Sequence, residues 1–160
     1  MLKSVLFMSR YQFERRGVAE TDIAISIGDP DQATPAVAGC YLRSLRVQFL
    51  DLEPEVCQKH GMDQGLCMST GQARAIAGFI SEACLGGGEL TLIIHCEAGA
   101  SRSAAVALAA AAFAGLPAPE KASGANLHVL NLLQGELYLP PISVPPDFEE
   151  VGETGVDRWF

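Results

Sequence analysis

The chain has 160 residues, 49% of them apolar, and sets 19 Asp and Glu against 11 Lys and Arg for a net charge of -8. That length fits one domain with a substantial core and leaves no room for two, and the apolar share excludes a disordered chain. The acidic balance argues against nucleic acid or an anionic membrane as partner, because both repel it.

From the N-terminus, "SVLFM" (4–8) reads as a buried strand. "SRYQFERRG" (9–17) opens on a candidate N-cap serine and closes on Arg-Arg-Gly, the pattern of a short helix. "DIAISIG" (22–28) is a second strand, followed by a loop or irregular crossover over 29–44. "LRVQFL" (45–50) is a third strand, with a second loop at 52–68. "STGQARAIAGFISEACLGGG" (69–88) places Ala73, Ile76, Ala77, Ile80 and Cys84 on one helical face before three glycines stop it. "ELTLIIHC" (89–96) is the fourth strand. An alanine-rich helix should run from about Ser101 to Ala114 and end at "GLPAP". A last helix is expected over 119–137, with Leu127, Leu130 and Leu133 on its apolar side. From about 139, prolines punctuate a tail expected to wrap the surface.

Strands alternating with helices predict an α/β fold in one domain over 1–160. Its centre is a mostly parallel sheet of four to five strands flanked by helices on both faces. Such sheets bind ligands beyond the carboxyl ends of their strands. Cys96 stands at one of these ends, and Asp51 follows another.

Cysteines 40, 57, 67, 84 and 96 are odd in number and form no Cys-x-x-Cys pair, and the histidines at 60, 95 and 128 lie far apart. Neither a zinc site nor a disulfide framework is expected, and free thiols fit a reducing cytoplasm. The apolar part of the N-terminus is short for a signal peptide, and the longest apolar run, 13 residues over 104–116, is short for a bilayer. A cytoplasmic protein that does not engage membranes is the expectation.

"HCEAGASRS" (95–103) carries the chemistry. Cys-x5-Arg alone is weak, since chance alone yields about 0.25 matches at this composition, and "CYLRSLR" (40–46) has the same spacing. The second copy has no preceding histidine and no internal glycine, and it leads into a strand instead of out of one. At 96–102 an apolar strand comes before, small residues fill the turn and a helix of strong formers follows. Such a turn lets successive backbone N–H groups converge on an anion at a helix N-terminus. Arg102, in the first helical turn, can grip two phosphate oxygens with its planar fork. The same positive surroundings favour the Cys96 thiolate.

This stretch resembles the His-Cys-x5-Arg-Ser signature of the cysteine-dependent protein tyrosine phosphatases, most closely their small dual-specificity-like branch. "SVLFMSRYQFERR", "DIAISIGDPD" and "LRVQFLDLEP" are similar to the compact bacterial or phage members. The likeness spans about residues 2–138, with the loop as its specific part. It implies hydrolysis of phosphate monoesters through a cysteinyl-phosphate, with neither metal nor cofactor. The implied partner is a phosphorylated protein or a small phosphomonoester.

By the same resemblance Cys96 is the nucleophile, set against the reading of a buried structural cysteine. Arg102 binds phosphate, set against a surface ion pair. Glu97, Ala98, Gly99, Ala100 and Ser101 serve through their amides, which leaves their side chains free to vary. With no lysine in the loop, a phosphoprotein fits better than a phosphoinositide. Ser103 either stabilises the leaving thiolate or caps the helix, and His95 either supports the loop or is a core histidine. The family's general acid is a loop aspartate after the preceding strand; Asp51, immediately after that strand, is the first choice and Asp63 its rival. Asp51 lies 45 residues before Cys96 and Asp63 lies 33 before it. Cys57, Cys67 or Cys84 could pair with an oxidised Cys96, but free structural thiols are the favoured reading. The competing classes are a rhodanese-like sulfurtransferase, which needs no general acid, and a non-catalytic phosphate-binding adaptor.

Overall fold

The computed structural model describes residues 1–147. Strands β1 (Leu2–Ser9), β2 (Asp22–Gly28), β3 (Arg43–Gln48) and β4 (Leu90–Cys96) form one sheet in the order β1-β4-β2-β3. Every pairing is parallel. The helices are α1 (Arg10–Arg15), α2 (Pro54–Lys59), α3 (Thr70–Leu85), α4 (Arg102–Ala114) and α5 (Leu127–Glu136). This is the α/β architecture that the alternation of strands and helices predicts, with a sheet of four strands.

Successive side chains of a strand point to opposite faces, and two cores follow from that. Leu92, Ile94 and Cys96 of β4 join Ile23, Ile25 and Ile27 of β2 in the larger core, under α3, α4 and α5. Ile93 and Ala24 face the other way, onto Phe13 of α1, Ala38 and Tyr41. The central strands β2 and β4 are buried almost throughout, which explains why they read as continuous apolar runs. Each large aliphatic side chain sealed in this way, such as Ile76, Ile80 or Leu108, stabilises the fold by roughly 1.5–3 kcal/mol.

Local chemistry sets the helix ends. Ser9 with Gln12, and Ser69 with Gln72, form reciprocal capping boxes at α1 and α3. Arg102 through Ala111 of α4 are all buried, because alanine side chains let this helix lie close against β1, β4 and α5. Gly115 ends it in the left-handed conformation at φ 69°.

Several boundaries differ from expectation. Strand β3 is Arg43–Gln48 and not 45–50. Phe49 N still donates to Gly28 O, but Leu50 N turns away to Leu66 O at 2.8 Å. The presumed loop 52–68 holds α2, with Pro54 in its first turn, and a 3-10 turn at Gln64–Leu66. A second 3-10 turn, Ala36–Cys40, lies in 29–44.

The helix expected over 119–137 begins only at Leu127. Lys121 sits at φ 62°, and Asn126 caps α5 by accepting from Val129 N. The buried face of α5 is Val129, Leu130 and Leu133, while Leu127 is exposed. On α3, Ala83 is buried where Cys84 was expected, and Cys84 is only half-buried. Ile142 and Val144 of the tail pack on the larger core. The rest of the tail, 148–160, lies outside the described residues. Among the described residues no helix is long and apolar enough to cross a membrane.

Candidate active site

Parallel strands bring their carboxyl ends to one edge, where Ser9 pairs with Cys96 and Gly28 with Gln48. The loop 97–101 leaves that edge from β4 and enters α4. Its turn depends on Gly99, whose φ is +70°. A Cβ there would lie 2.2 Å from Ser9 N and 2.4 Å from Met8 C, both backbone atoms. Arg10 N ties the loop to the start of α1 by donating to Glu97 O at 3.2 Å. Among the described residues, the N–H groups of Ala98, Gly99, Ala100 and Ser101 donate to no protein acceptor. Four unpaired amides in one short turn before a helix can receive an anion.

Cys96 ends β4 with only 2% of its surface exposed. Ser103 Oγ lies 3.1 Å from its Sγ, where a hydroxyl can donate to a thiolate. Arg102 is 5% exposed and folds back from the first residue of α4. Its Nη1 donates to Asp29 Oδ1 and to Phe49 O, each at 2.7 Å. Its Nε is buried without a partner. The guanidinium is thus clamped by one nitrogen, and its other edge remains for a two-pronged contact with an oxyanion. Neither partner was foreseen. Asp29 stands 73 positions from Arg102, in a "DPD" turn that reads as an ordinary loop.

Asp51 reaches the cradle, and Asp63 is engaged elsewhere. Asp51 Oδ1 accepts from Ser101 Oγ and from Asn126 Nδ2, both at 2.8 Å. One carboxylate oxygen is fixed to Ser101 and Asn126, and Oδ2 has no hydrogen-bond partner among the described residues. Asp63 caps the 3-10 turn, its Oδ1 accepting from Gly65 N at 2.8 Å. Ser101 makes no cap bond of its own to α4, since its hydroxyl is committed to Asp51. A cavity of about 350 Å³ opens between Arg102, Asp29, Asp51 and Glu97, with Leu50, Leu52 and Met62 as its apolar wall.

His95 does not face this cavity. It is adjacent to Cys96 but on the opposite side of the sheet, stacked on Phe13 at 4.2 Å between ring centroids. Arg46 Nη1 donates to Ser26 Oγ at 2.9 Å, and Ser26 lies 2.6 Å from His95 Nε2. The Ser26 O–H therefore donates to a neutral imidazole, whose Nδ1 side faces the Cys96 carbonyl at 3.5 Å. Burial lowers the His95 pKa to about 4, reinforced by Arg46 and Arg10. A histidine held neutral in this way links β4 to Ser26 of β2 and is turned away from the cavity.

One expectation for the loop needs correction. Its side chains are not all free to vary, because Gly99 is sterically required and Ser101 holds Asp51. The buried thiols of Cys57 and Cys67 contact each other at 3.4 Å, and burial raises Cys67 to about 11. Among the described residues no group of three or more His, Cys, Asp or Glu side chains is placed to hold a metal ion. No protein-family model, curated protein or solved structure matches the chain.

Proposed function

We propose that the chain hydrolyses phosphate monoesters, with phosphotyrosine in proteins as the leading substrate, through a phosphocysteine at Cys96. The observation that carries this reading is the cradle at the end of β4. A buried thiol lies 3.1 Å from a hydroxyl, beneath unpaired loop amides and an arginine whose Nε has no partner.

The phosphate oxygens take the amides of 98–101 and the free edge of Arg102. The Cys96 thiolate attacks phosphorus in line, the ester P–O bond breaks, and Asp51 gives the leaving oxygen its proton. Asp51, now a carboxylate, takes a proton from water as that water attacks phosphorus. The S–P bond then breaks, and the Ser103 O–H stabilises the departing thiolate. Asp29 touches no reacting atom in this scheme. It is a positioning residue, holding the Arg102 fork through Nη1. A cavity of about 350 Å³ with Leu50, Leu52 and Met62 along one side suits an aromatic ester.

The test is turnover of para-nitrophenyl phosphate in chelator by the wild type and by Cys96→Ser. The proposal expects turnover by the first and none by the second.

A further inference from the structure

The cavity at the cradle does not stand alone. It shares Asp51 and Leu52 with a neighbour of about 260 Å³, which reaches Glu53 and Val56. That one shares Glu53 with a third of about 240 Å³, bordered by Glu55, His128 and Asn131. Together they trace a path from Arg102 along the face of α2.

Its charge is one-sided. Glu97, Asp51, Glu53 and Glu55 line the path, and among the described residues none of the four forms an ion pair, whereas Glu14, Asp22, Asp29, Glu82, Glu89 and Glu136 all do. Among the described residues, Arg102, with its buried and unpaired Nε, is the one arginine or lysine lining the path. The carboxylates are strung out and not convergent, and no metal-holding group forms among the described residues. A divalent ion therefore does not fit. An extended cationic ligand with an anionic group at one end does.

We infer that this path takes the basic flank of a phosphoprotein segment, with the phosphate seated at Arg102 and lysine or arginine side chains beside Glu53 and Glu55. The inference rests on the proposed function for what occupies the cradle. It adds a specificity: substrates with basic residues beside the phosphoresidue are preferred, and acidic flanks and polyphosphorylated rings are repelled.

Two phosphotyrosine peptides of equal length, one with lysine flanks and one with glutamate flanks, provide the test. Their Kd values are measured on Cys96→Ser, so the result does not depend on turnover. The lysine peptide should bind on the order of 10-fold tighter at low salt, and the ratio should approach one near 1 M salt. Adding Glu53→Gln and Glu55→Gln should cut the ratio roughly threefold. Neutralising Glu20 and Glu89 instead changes net charge equally, at the amino ends of β2 and β4 away from the cradle, and should leave the ratio intact. Equal binding of the two peptides overturns the inference, as does an equal loss from both pairs of substitutions. A matching gain for phosphocholine over phenyl phosphate would overturn the assignment to a peptide. Flank preference without turnover of para-nitrophenyl phosphate leaves the inference standing and refutes the activity.

Discussion

Ser103 Oγ lies 3.1 Å from Cys96 Sγ, in the first turn of the helix that the cysteine loop feeds. In the proposed reaction a hydroxyl at this place helps most when sulfur departs as thiolate, which is the second chemical step. Ser103→Ala should lower kcat roughly 10- to 100-fold, the range expected from losing one hydrogen bond to a charged group. Rapid mixing should then show a stoichiometric burst of para-nitrophenol before a slow steady state. A slow first turnover without a burst would place Ser103 in another role.

Gly99→Ala tests the turn that aims the amides. Its φ of +70° is costly with a side chain, and the added carbon would meet Ser9 N at 2.2 Å. Backbone of the paired strand β1 cannot yield cheaply. The variant should lose more than about 2 kcal/mol of stability and nearly all phosphate affinity, as read by urea unfolding and phosphate inhibition.

Asp51→Asn retains an oxygen that can accept from Ser101 and Asn126 but cannot release a proton. Turnover of phenyl phosphate should fall about 10²- to 10⁴-fold. Turnover of para-nitrophenyl phosphate, whose leaving group needs little help, should fall far less. Asp63→Asn should affect both alike and weakly, since Asp63 serves the 3-10 turn. The reverse pattern would exchange the two aspartates.

His95 gives stability a pH dependence with a definite sign. Its folded pKa of about 4 lies below the ordinary value of 6.5, so the unfolded chain binds the proton more readily. The contribution is complete above about pH 6.5 and declines as the pH falls toward about 4, on the order of 3 kcal/mol in all. Urea titrations between pH 7 and 4.5 should show a shallower decline for His95→Asn than for the wild type.

Much of this was legible from local pattern. Ser69 three residues before Gln72 announces α3, and the apolar run before Cys96 announces β4. The cradle could be read because strand, small turn and helix adjoin in the chain. What was hidden depends on contacts between distant segments. Asp29 meets Arg102 only because β2 lies beside β4. Asn126 caps α5 and also holds Asp51, 75 residues away, and nothing local separates the two roles. Residues 119–126 read as helix by composition. Lys121 in the left-handed region and Gly124, whose Cβ would sit 2.9 Å from Ala100 O, hold that stretch as a turn against the loop.

The central claim is a covalent phosphorus–sulfur intermediate on one cysteine among five. Acid-quenching the Ser103→Ala variant during turnover of para-nitrophenyl phosphate, followed by peptide mass spectrometry, tests it most directly. The account predicts a phosphate adduct on the Cys96 peptide alone, formed in the presence of chelator. Steady turnover with no adduct, or an adduct on another residue, would contradict it.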